Sequence, residues 1–162
     1  MPASQSPRAR AQATAYDSVF ASTPLKLVYE DGTEETIEIP PHPNLQMLDD
    51  DQQAAYEELL FEVESYDRAD DVFIPEQHLE SGAILPEQTR KGAILLPYRK
   101  DGQLIKPPHN VRAVQIALGD DKWKKLQRAG KQAADVWRIW NSQGLKIAER
   151  QEGDPFRDAG AS

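Results

Sequence analysis

The sequence predicts a small α+β protein that is mainly helical. Strand-like residues surround an Asp-Gly pair near the N-terminus, helical periodicity appears in two later regions, and a stretch rich in proline and glycine separates those regions. With 162 residues and a mean hydropathy of -0.68, the chain can bury one modest core. We therefore predict a single small domain over residues 21–148, with a disordered arm at 1–20 and a disordered tail at 149–162.

Neither end of the chain has an apolar pattern that would support folding. Residues 1–15 are mostly alanine, serine, glutamine, proline and arginine, and residues 151–162 are again polar. The start lacks the apolar stretch of a signal peptide, and no segment approaches the roughly 18 consecutive apolar residues that span a membrane. We expect the protein to remain in the cytoplasm of the cell that makes it.

The first predicted element is a β-hairpin at residues 25–39. Two strand-like runs flank the pair Asp31-Gly32, which readily adopts the positive φ angles of a tight turn. The second run alternates polar and apolar residues, and Pro40-Pro41 ends it.

An acidic amphipathic helix is predicted at residues 51–66. The acidic run 49–51 suits a helix N-terminus, because carboxylates accept hydrogen bonds from the free N–H groups there. Four apolar residues then recur at helical spacing and define one face of the helix. They are Tyr56, Leu59, Leu60 and Val63.

Residues 67–108 are predicted to be loop-rich, because prolines and glycines recur too often for a helix. The run 82–86 (Gly-Ala-Ile-Leu-Pro) is echoed at 92–97 (Gly-Ala-Ile-Leu-Leu-Pro), and the two runs are either paired edge strands or docking segments. Asp101-Gly102 could close a second hairpin.

A helical block is predicted at residues 109–144, as a bundle of three short helices at 111–118, 122–129 and 132–143. A glycine follows each helix, as is typical of a helix C-terminus. Helices this short must pack on one another to persist. The tryptophans at helical spacing are the predicted shared core, and they are Trp123, Trp137 and Trp140.

No arrangement of residues indicates catalysis, a metal site or a cofactor. The chain has no cysteine, its three histidines lack the spacing of metal ligands, and no phosphate-binding or nucleophile motif occurs. We therefore predict that the protein is not an enzyme and uses no cofactor.

The charges are separated along the chain. Residues 30–80 hold 17 acidic residues and one basic residue, whereas residues 106–150 hold ten basic and four acidic residues. These regions could attract each other within one molecule, cause self-association, or steer different partners. The basic helices raise the alternative of a nucleic-acid-binding regulator, but the acidic middle would repel phosphates and the tryptophans lie on apolar stripes.

The block from Lys106 to Gly144 resembles the tail assembly chaperones of long-tailed, siphovirus-type actinobacteriophages. A first small helix ends in Leu118-Gly119, a charged helix bearing Trp123 ends in Ala129-Gly130, and a third helix carries Val136-Trp137-Arg138-Ile139-Trp140. Lys131 stands where the family often has a second glycine. Together with the acidic helix and the run 73–77, the resemblance covers residues 25–144.

The resemblance implies a protein that binds the tape measure protein in the host cytoplasm, assists tail tube assembly and is absent from the mature virion. It also implies a longer product made by programmed frameshifting, through which the major tail protein would be bound. A minor virion structural protein, either a head-tail connector or a tail component, is the main alternative. The predicted partner surface is the face formed by Tyr56, Leu59, Leu60 and Val63, or any exposed part of Trp123, Trp137 and Trp140.

Overall fold

A computed structural model describes residues 21–152 and confirms the α+β class. Within that range, three helices accompany four antiparallel strand pairs. The elements are β1 (Thr23–Val28), β2 (Glu34–Ile39), α1 (Asp50–Val63), β3 (Val72–Ile74), β4 (Gln77–His78), β5 (Ile84–Leu85), β6 (Gln88–Arg90), β7 (Arg99–Lys100), β8 (Gln103–Leu104), α2 (His109–Arg128) and α3 (Ala133–Glu152).

The contacts divide the chain into two compact units, although the sequence was predicted to form one domain over 21–148. Unit 1 combines the residues up to Glu57 with those from Asn110 onward, and unit 2 is Glu58–His109. The boundary falls within α1. The predicted disordered arm at 1–20 lies outside the described residues.

The first hairpin of unit 1 extends from Thr23 to Ile39, with Thr23 opposite Ile39 and Val28 opposite Glu34. Tyr29 pairs with Thr33 beyond the ends of the two strands, so the loop consists of the three residues 30–32 rather than the predicted two. The Tyr29 N–H donates to the carbonyl of Thr33, and the Gly32 N–H donates back to the carbonyl of Tyr29. Gly32 has a φ of 82°, the left-handed conformation that a glycine bulge requires.

Helix α1 begins where the acidic run predicted a helix start, because the Asp49 carboxylate accepts a hydrogen bond from the Gln52 N–H at 2.8 Å. The helix ends at Val63, three residues before the predicted end at 66. The N–H groups of Glu64, Ser65 and Tyr66 each donate to a carbonyl three residues back, so the last turn is tightened.

The predicted bundle of three short helices is confirmed at its first break and wrong at the end of its third helix. Within α2 the first two predicted helices meet at a kink at Gly119, which has the non-helical angles φ 75° and ψ 167°. The third helix continues through Gly144 to Glu152, so the tail predicted to be disordered at 149–162 is helical over 149–152. Residues 153–162 lie outside the described residues.

The end of α2 agrees with the glycine signal. The Gly130 N–H donates to the Gln127 carbonyl and the Lys131 N–H donates to the Leu126 carbonyl, and Gly130 has a φ of 72°. These two bonds form a Schellman motif, in which glycine is favoured at the left-handed position.

The core of unit 1 is formed by the hairpin and the two later helices. Of the three tryptophans, Trp140 is buried, whereas Trp123 and Trp137 are only partly buried against the core. The Trp140 indole N–H donates to the Pro40 carbonyl at 2.9 Å. The buried residues of this cluster are Leu27, Tyr29, Ile37, Ile39, Val114, Ala117, Leu118, Leu126, Ala133, Val136 and Trp140.

Candidate functional site

The main candidate is a long β-ribbon in unit 2, built from the segment predicted to be loop-rich. Val72 lies opposite Arg90, and His78 lies opposite Ile84. Both pairs follow one continuous register, so β3 and β4 belong to one strand of the ribbon and β5 and β6 to the other.

The same register continues towards the base of the ribbon. Arg68 bridges to Ile94, the Ala69 N–H donates to the Ala93 carbonyl, and the Leu95 N–H donates to the Asp67 carbonyl. Residues 67–95 therefore form a single antiparallel ribbon, which we call the β-arm. At about 3.3 Å per residue, each strand is roughly 40 Å long.

The β-arm explains two sequence features. The two apolar runs that echo each other, at 82–86 and 92–97, do not pair together, because the first is opposite Gln77–His78 and the second is opposite the base near Arg68. Pro75 and Pro86 lie between the paired strand segments. They interrupt the hydrogen bonding there, because proline has no N–H to donate.

The tip of the β-arm, residues 79–83, is a tight turn. The Leu79 N–H donates to the Ala83 carbonyl at 2.9 Å, and the Gly82 N–H donates to the Leu79 carbonyl at 2.9 Å. Gly82 has a φ of 84°. This is the same turn as in the first hairpin, and it presents Leu79 and Glu80 at the end of the ribbon.

The base of the β-arm depends on a close approach at Gly92. A Cβ on this residue would lie 1.8 Å from the carbonyl oxygen of Ala69. The Gly92 N–H donates to the Asp71 carboxylate at 2.9 Å, and the Arg68 guanidinium donates to the Gly92 carbonyl at 3.2 Å. The same guanidinium pairs with Glu64 at 2.6 Å.

A second hairpin, β7–β8, lies next to this base within unit 2, as the Asp101-Gly102 pair predicted. Both turn residues have positive φ, 51° for Asp101 and 78° for Gly102. The Asp67 carboxylate accepts hydrogen bonds from both of their N–H groups, at 3.0 and 2.8 Å. Asp67 and Asp71 are acidic residues from the middle of the sequence, and their carboxylates thus hold backbone N–H groups in place by hydrogen bonding.

The β-arm exposes apolar side chains on both faces. Alternation along the strands places Val72 and Ile84 on one face, and Phe73 and Leu85 on the other. Their exposed fractions range from 47% for Leu85 to 60% for Phe73. Since a lone two-stranded ribbon is marginally stable in water, this surface is the strongest candidate for partner binding.

The predicted partner face on α1 is mostly buried. Tyr56, Leu59 and Val63 have exposed fractions of 4%, 2% and 9%, whereas Leu60 is 42% exposed. The neighbouring Phe61 is 81% exposed and was not among the predicted residues, because it lies off the apolar stripe. Leu60 and Phe61 are therefore the accessible apolar residues at this end of α1.

A second candidate surface is a groove in unit 1, which we call the tryptophan groove. Its volume is about 580 Å³, and it contains the partly exposed rings of Trp123 and Trp137. The Trp137 indole N–H is already bonded to the Asn110 carbonyl at 3.0 Å. The lining residues are Asn110, Val111, Trp123, Gln127, Lys131, Gln132, Ala133, Ala134, Trp137, Arg138 and Asn141, and none of them is acidic.

The basic residues of α2 contact the acidic hairpin of unit 1. Lys125 forms an ion pair with Glu35, which also accepts a hydrogen bond from the Tyr29 hydroxyl at 2.7 Å. The hydrogen bond from Lys125 holds the pKa of Glu35 below its usual value, and the same bond raises the pKa of Lys125.

Two further cations make similar contacts. The Lys122 ammonium donates to the Glu38 carbonyl at 2.7 Å, and the Arg128 guanidinium lies 3.9 Å from the centre of the Tyr29 ring. These basic side chains are therefore engaged in contacts within unit 1.

His42 has a packing role. Its ring lies 4.9 Å from Trp140 and 5.4 Å from Trp137, centre to centre, and 6.4 Å from Tyr56. Its Nδ1 accepts a hydrogen bond from the Asn44 N–H at 3.1 Å. Burial lowers the pKa of His42, which favours the neutral ring.

Within residues 21–152, no group of three or more histidine and acidic side chains is placed to hold a metal ion. No helix in the described part of the chain has the length and apolar character needed to cross a bilayer. Comparison of the chain with models of protein families, with characterised proteins and with solved structures gave no match.

Proposed function

We propose that this protein is a tail assembly chaperone of long-tailed, siphovirus-type actinobacteriophages. It binds the tape measure protein in the host cytoplasm, assists tail tube assembly and is absent from the mature virion. The observation that carries the proposal is the β-arm, with exposed apolar residues on both faces. The resemblance of the block from Lys106 to Gly144 gives this surface a specific client.

The β-arm has the properties that a chaperone for a long apolar client requires. Its free strand edges can pair with an extended segment, and its apolar side chains can cover those of the client. Carboxylates at Glu76, Glu80 and Glu87 are exposed along the same ribbon. They keep the surface hydrated and favour client segments in which lysine or arginine flanks the apolar residues.

Co-expression with a fragment of the tape measure protein from the same phage tests the proposal. We expect the wild-type chain to increase the soluble fraction of the fragment and to co-purify with it. Phe73→Ser and Ile84→Ser, on opposite faces of the arm, should each lose most of this effect.

Leu104→Ser is the matched control, because Leu104 is 56% exposed in unit 2 but lies on the β7–β8 hairpin. It should behave like the wild-type chain. The proposed function is wrong if the wild-type chain leaves the fragment insoluble. The assignment to the β-arm is wrong if all three variants act like the wild type.

A minor virion structural protein, such as a head-tail connector or tail component, is the second candidate. The same exposed ribbon favours it, because apolar faces of this kind become buried between subunits of an assembled particle. Mass spectrometry of purified virions separates the two functions. A structural protein would be present in stoichiometric amounts, whereas the chaperone would be absent.

We also infer a longer form, made by programmed frameshifting, that would bring the major tail protein to the complex. Mass spectrometry of infected cells would detect peptides that join this chain to residues of another reading frame. Their absence, with good coverage of this chain, would contradict the inference.

A further inference from the structure

The residues that line the tryptophan groove of unit 1 favour one chemical kind of ligand. Its lining combines aromatic and apolar residues with the cations Lys131 and Arg138, and none of its lining residues is acidic. Asp135 pairs with Arg138 at 2.8 Å from outside the lining. The groove therefore suits an apolar side chain that is flanked by a carboxylate. Its volume of about 580 Å³ lies within the range of small binding clefts, roughly 300–1,000 Å³.

The chain itself carries a matching segment at the tip of the β-arm. Leu79 is 44% exposed, the adjacent Glu80 is exposed, and residues 79–83 contain no lysine or arginine. The tip turn is fixed by two backbone hydrogen bonds, so little ordering is needed when it binds.

We propose that the β-arm tip of one copy binds the tryptophan groove of a second copy. Leu79 contacts the exposed faces of Trp123 and Trp137, and the Glu80 carboxylate pairs with Lys131 and Arg138. The proposal goes beyond the chaperone function and does not rest on it, because both surfaces belong to this chain.

This contact is head to tail, so each copy keeps one unused tip or groove that can bind a further copy. Such heterologous contacts form rings or open chains. A tip this small buries less than the roughly 1,200 Å² of the weakest stable interfaces, so dissociation constants in the micromolar to millimolar range are expected. The carboxylate contribution is exposed to solvent, and added salt should weaken the association.

Sedimentation velocity of the purified chain over a wide concentration range measures the association. We expect Leu79→Ser to raise the dissociation constant by about tenfold or more, because it removes the apolar anchor. Leu104→Ser is the matched control and should leave it unchanged. Glu80→Lys and Lys131→Glu should each weaken association by a similar factor, whereas Lys124→Glu, which makes the same charge change at an exposed site on α2, should have little effect.

Two experiments show whether the tip and the groove face each other. Combining E80K with K131E in one chain should recover part of the lost affinity relative to either single variant, because the charge pair between positions 80 and 131 is re-formed in reverse while Arg138 stays cationic. Mixing L79S, which has an intact groove, with K131E, which has an intact tip, should give dimers and nothing larger. Circular dichroism of each variant establishes that it remains folded.

Several outcomes would overturn the proposal. These are a wild-type chain that stays monomeric at all concentrations, an unchanged constant for L79S, or no restoration in the double charge reversal. Loss of association on Phe61→Ser, with L79S unaffected, would place the contact on α1 instead. All of these measurements contain only this chain, so they fail independently of the tape measure experiment.

Discussion

Replacing Gly92 with alanine should disrupt the base of the β-arm. The added Cβ would lie 1.8 Å from the Ala69 carbonyl oxygen, 2.5 Å from its carbonyl carbon and 2.8 Å from the Asp70 carbonyl oxygen. All three are backbone atoms, so no side chain can rotate away. To reach an ordinary contact of 3.4 Å, the opposite strand must move by about 1.6 Å.

A movement of that size breaks specific bonds. The Ala69 N–H bond to Ala93 at 2.8 Å and the Gly92 N–H bond to Asp71 at 2.9 Å both lie at this point. Two lost hydrogen bonds remove about 2 kcal/mol, and overpacking adds about 1–3 kcal/mol. We therefore expect unit 2 to lose about 3–5 kcal/mol of stability.

Gly144→Ala is the matched control, since it makes the same chemical change inside α3. Apart from the adjoining backbone of α3 itself, no atom lies within 4 Å of its added Cβ, and glycine weakens a helix interior. This variant should gain about 0.5–1 kcal/mol.

Amide hydrogen exchange read by mass spectrometry suits both variants, because all three tryptophans lie in unit 1 and fluorescence would not report on the arm. G92A should speed exchange in peptides covering 67–95, and G144A should slow it in α3. Unchanged protection of the arm in G92A would refute the close approach of the strands.

Three further predictions concern unit 1 and the second hairpin. Trp140→Phe removes the donor to the Pro40 carbonyl and leaves a void, so the free energy of unfolding in urea should fall by about 2–4 kcal/mol. The pKa of His42 is lower in the folded state than its ordinary value of 6.5, so the unfolded chain takes up the proton first. Stability should be complete above pH 6.5 and fall as the pH drops towards the folded-state pKa. His42→Gln should flatten this loss as the pH falls below 6.5, and an unchanged slope would exclude His42 as its source. Asp67→Ala removes the acceptor for the N–H groups of Asp101 and Gly102, so hydrogen exchange in peptides covering 99–104 should quicken as about 1 kcal/mol of local stability is lost, and unchanged exchange would show that water replaces the carboxylate.

Helix caps and turn glycines in the sequence correctly predicted where several helices and turns begin or end. Asp49 caps α1 and Gly130 ends α2 through bonds to residues within a few positions, and Gly102 supplies the positive φ that closes the β7–β8 hairpin. Gly144 failed as a stop signal. Val136, Trp140 and Gln143 are buried and anchor α3 up to the predicted boundary, and Ile147 beyond it is partly buried. A single glycine costs a helix about 1 kcal/mol, which is too little to end it there.

The β-arm could not be read from the sequence, because its pairing is long-range. Asp67 meets Leu95 across 28 positions, and the prolines in between resemble loop punctuation. The repeated Gly-Ala-Ile-Leu run was visible in the sequence, but the structure requires Gly82 and Gly92 for different reasons. Gly82 adopts the positive φ that the tip turn requires, whereas Gly92 is needed at the base because any side chain there would clash with the opposite strand.

The acidic residues of the sequence also separate into different roles. Glu35 pairs with Lys125, and Asp67 and Asp71 hold backbone N–H groups. Other carboxylates, such as Glu76 and Glu80 on the β-arm, lie beside exposed apolar residues. The net charge of the middle region therefore overstates the charge that is available to a partner.

The two proposed uses of the β-arm can be separated by residue. Client binding is assigned to the faces that carry Phe73 and Ile84, and self-association to the tip that carries Leu79. Substitutions along the faces leave the tip turn intact, because its two hydrogen bonds are made within residues 79–83. A change at Gly92 acts on the whole ribbon, since it alters the strand pairing from which both surfaces extend. G92A should therefore impair both activities, whereas a face or tip substitution should impair one, and this contrast distinguishes a shared scaffold from a shared binding site.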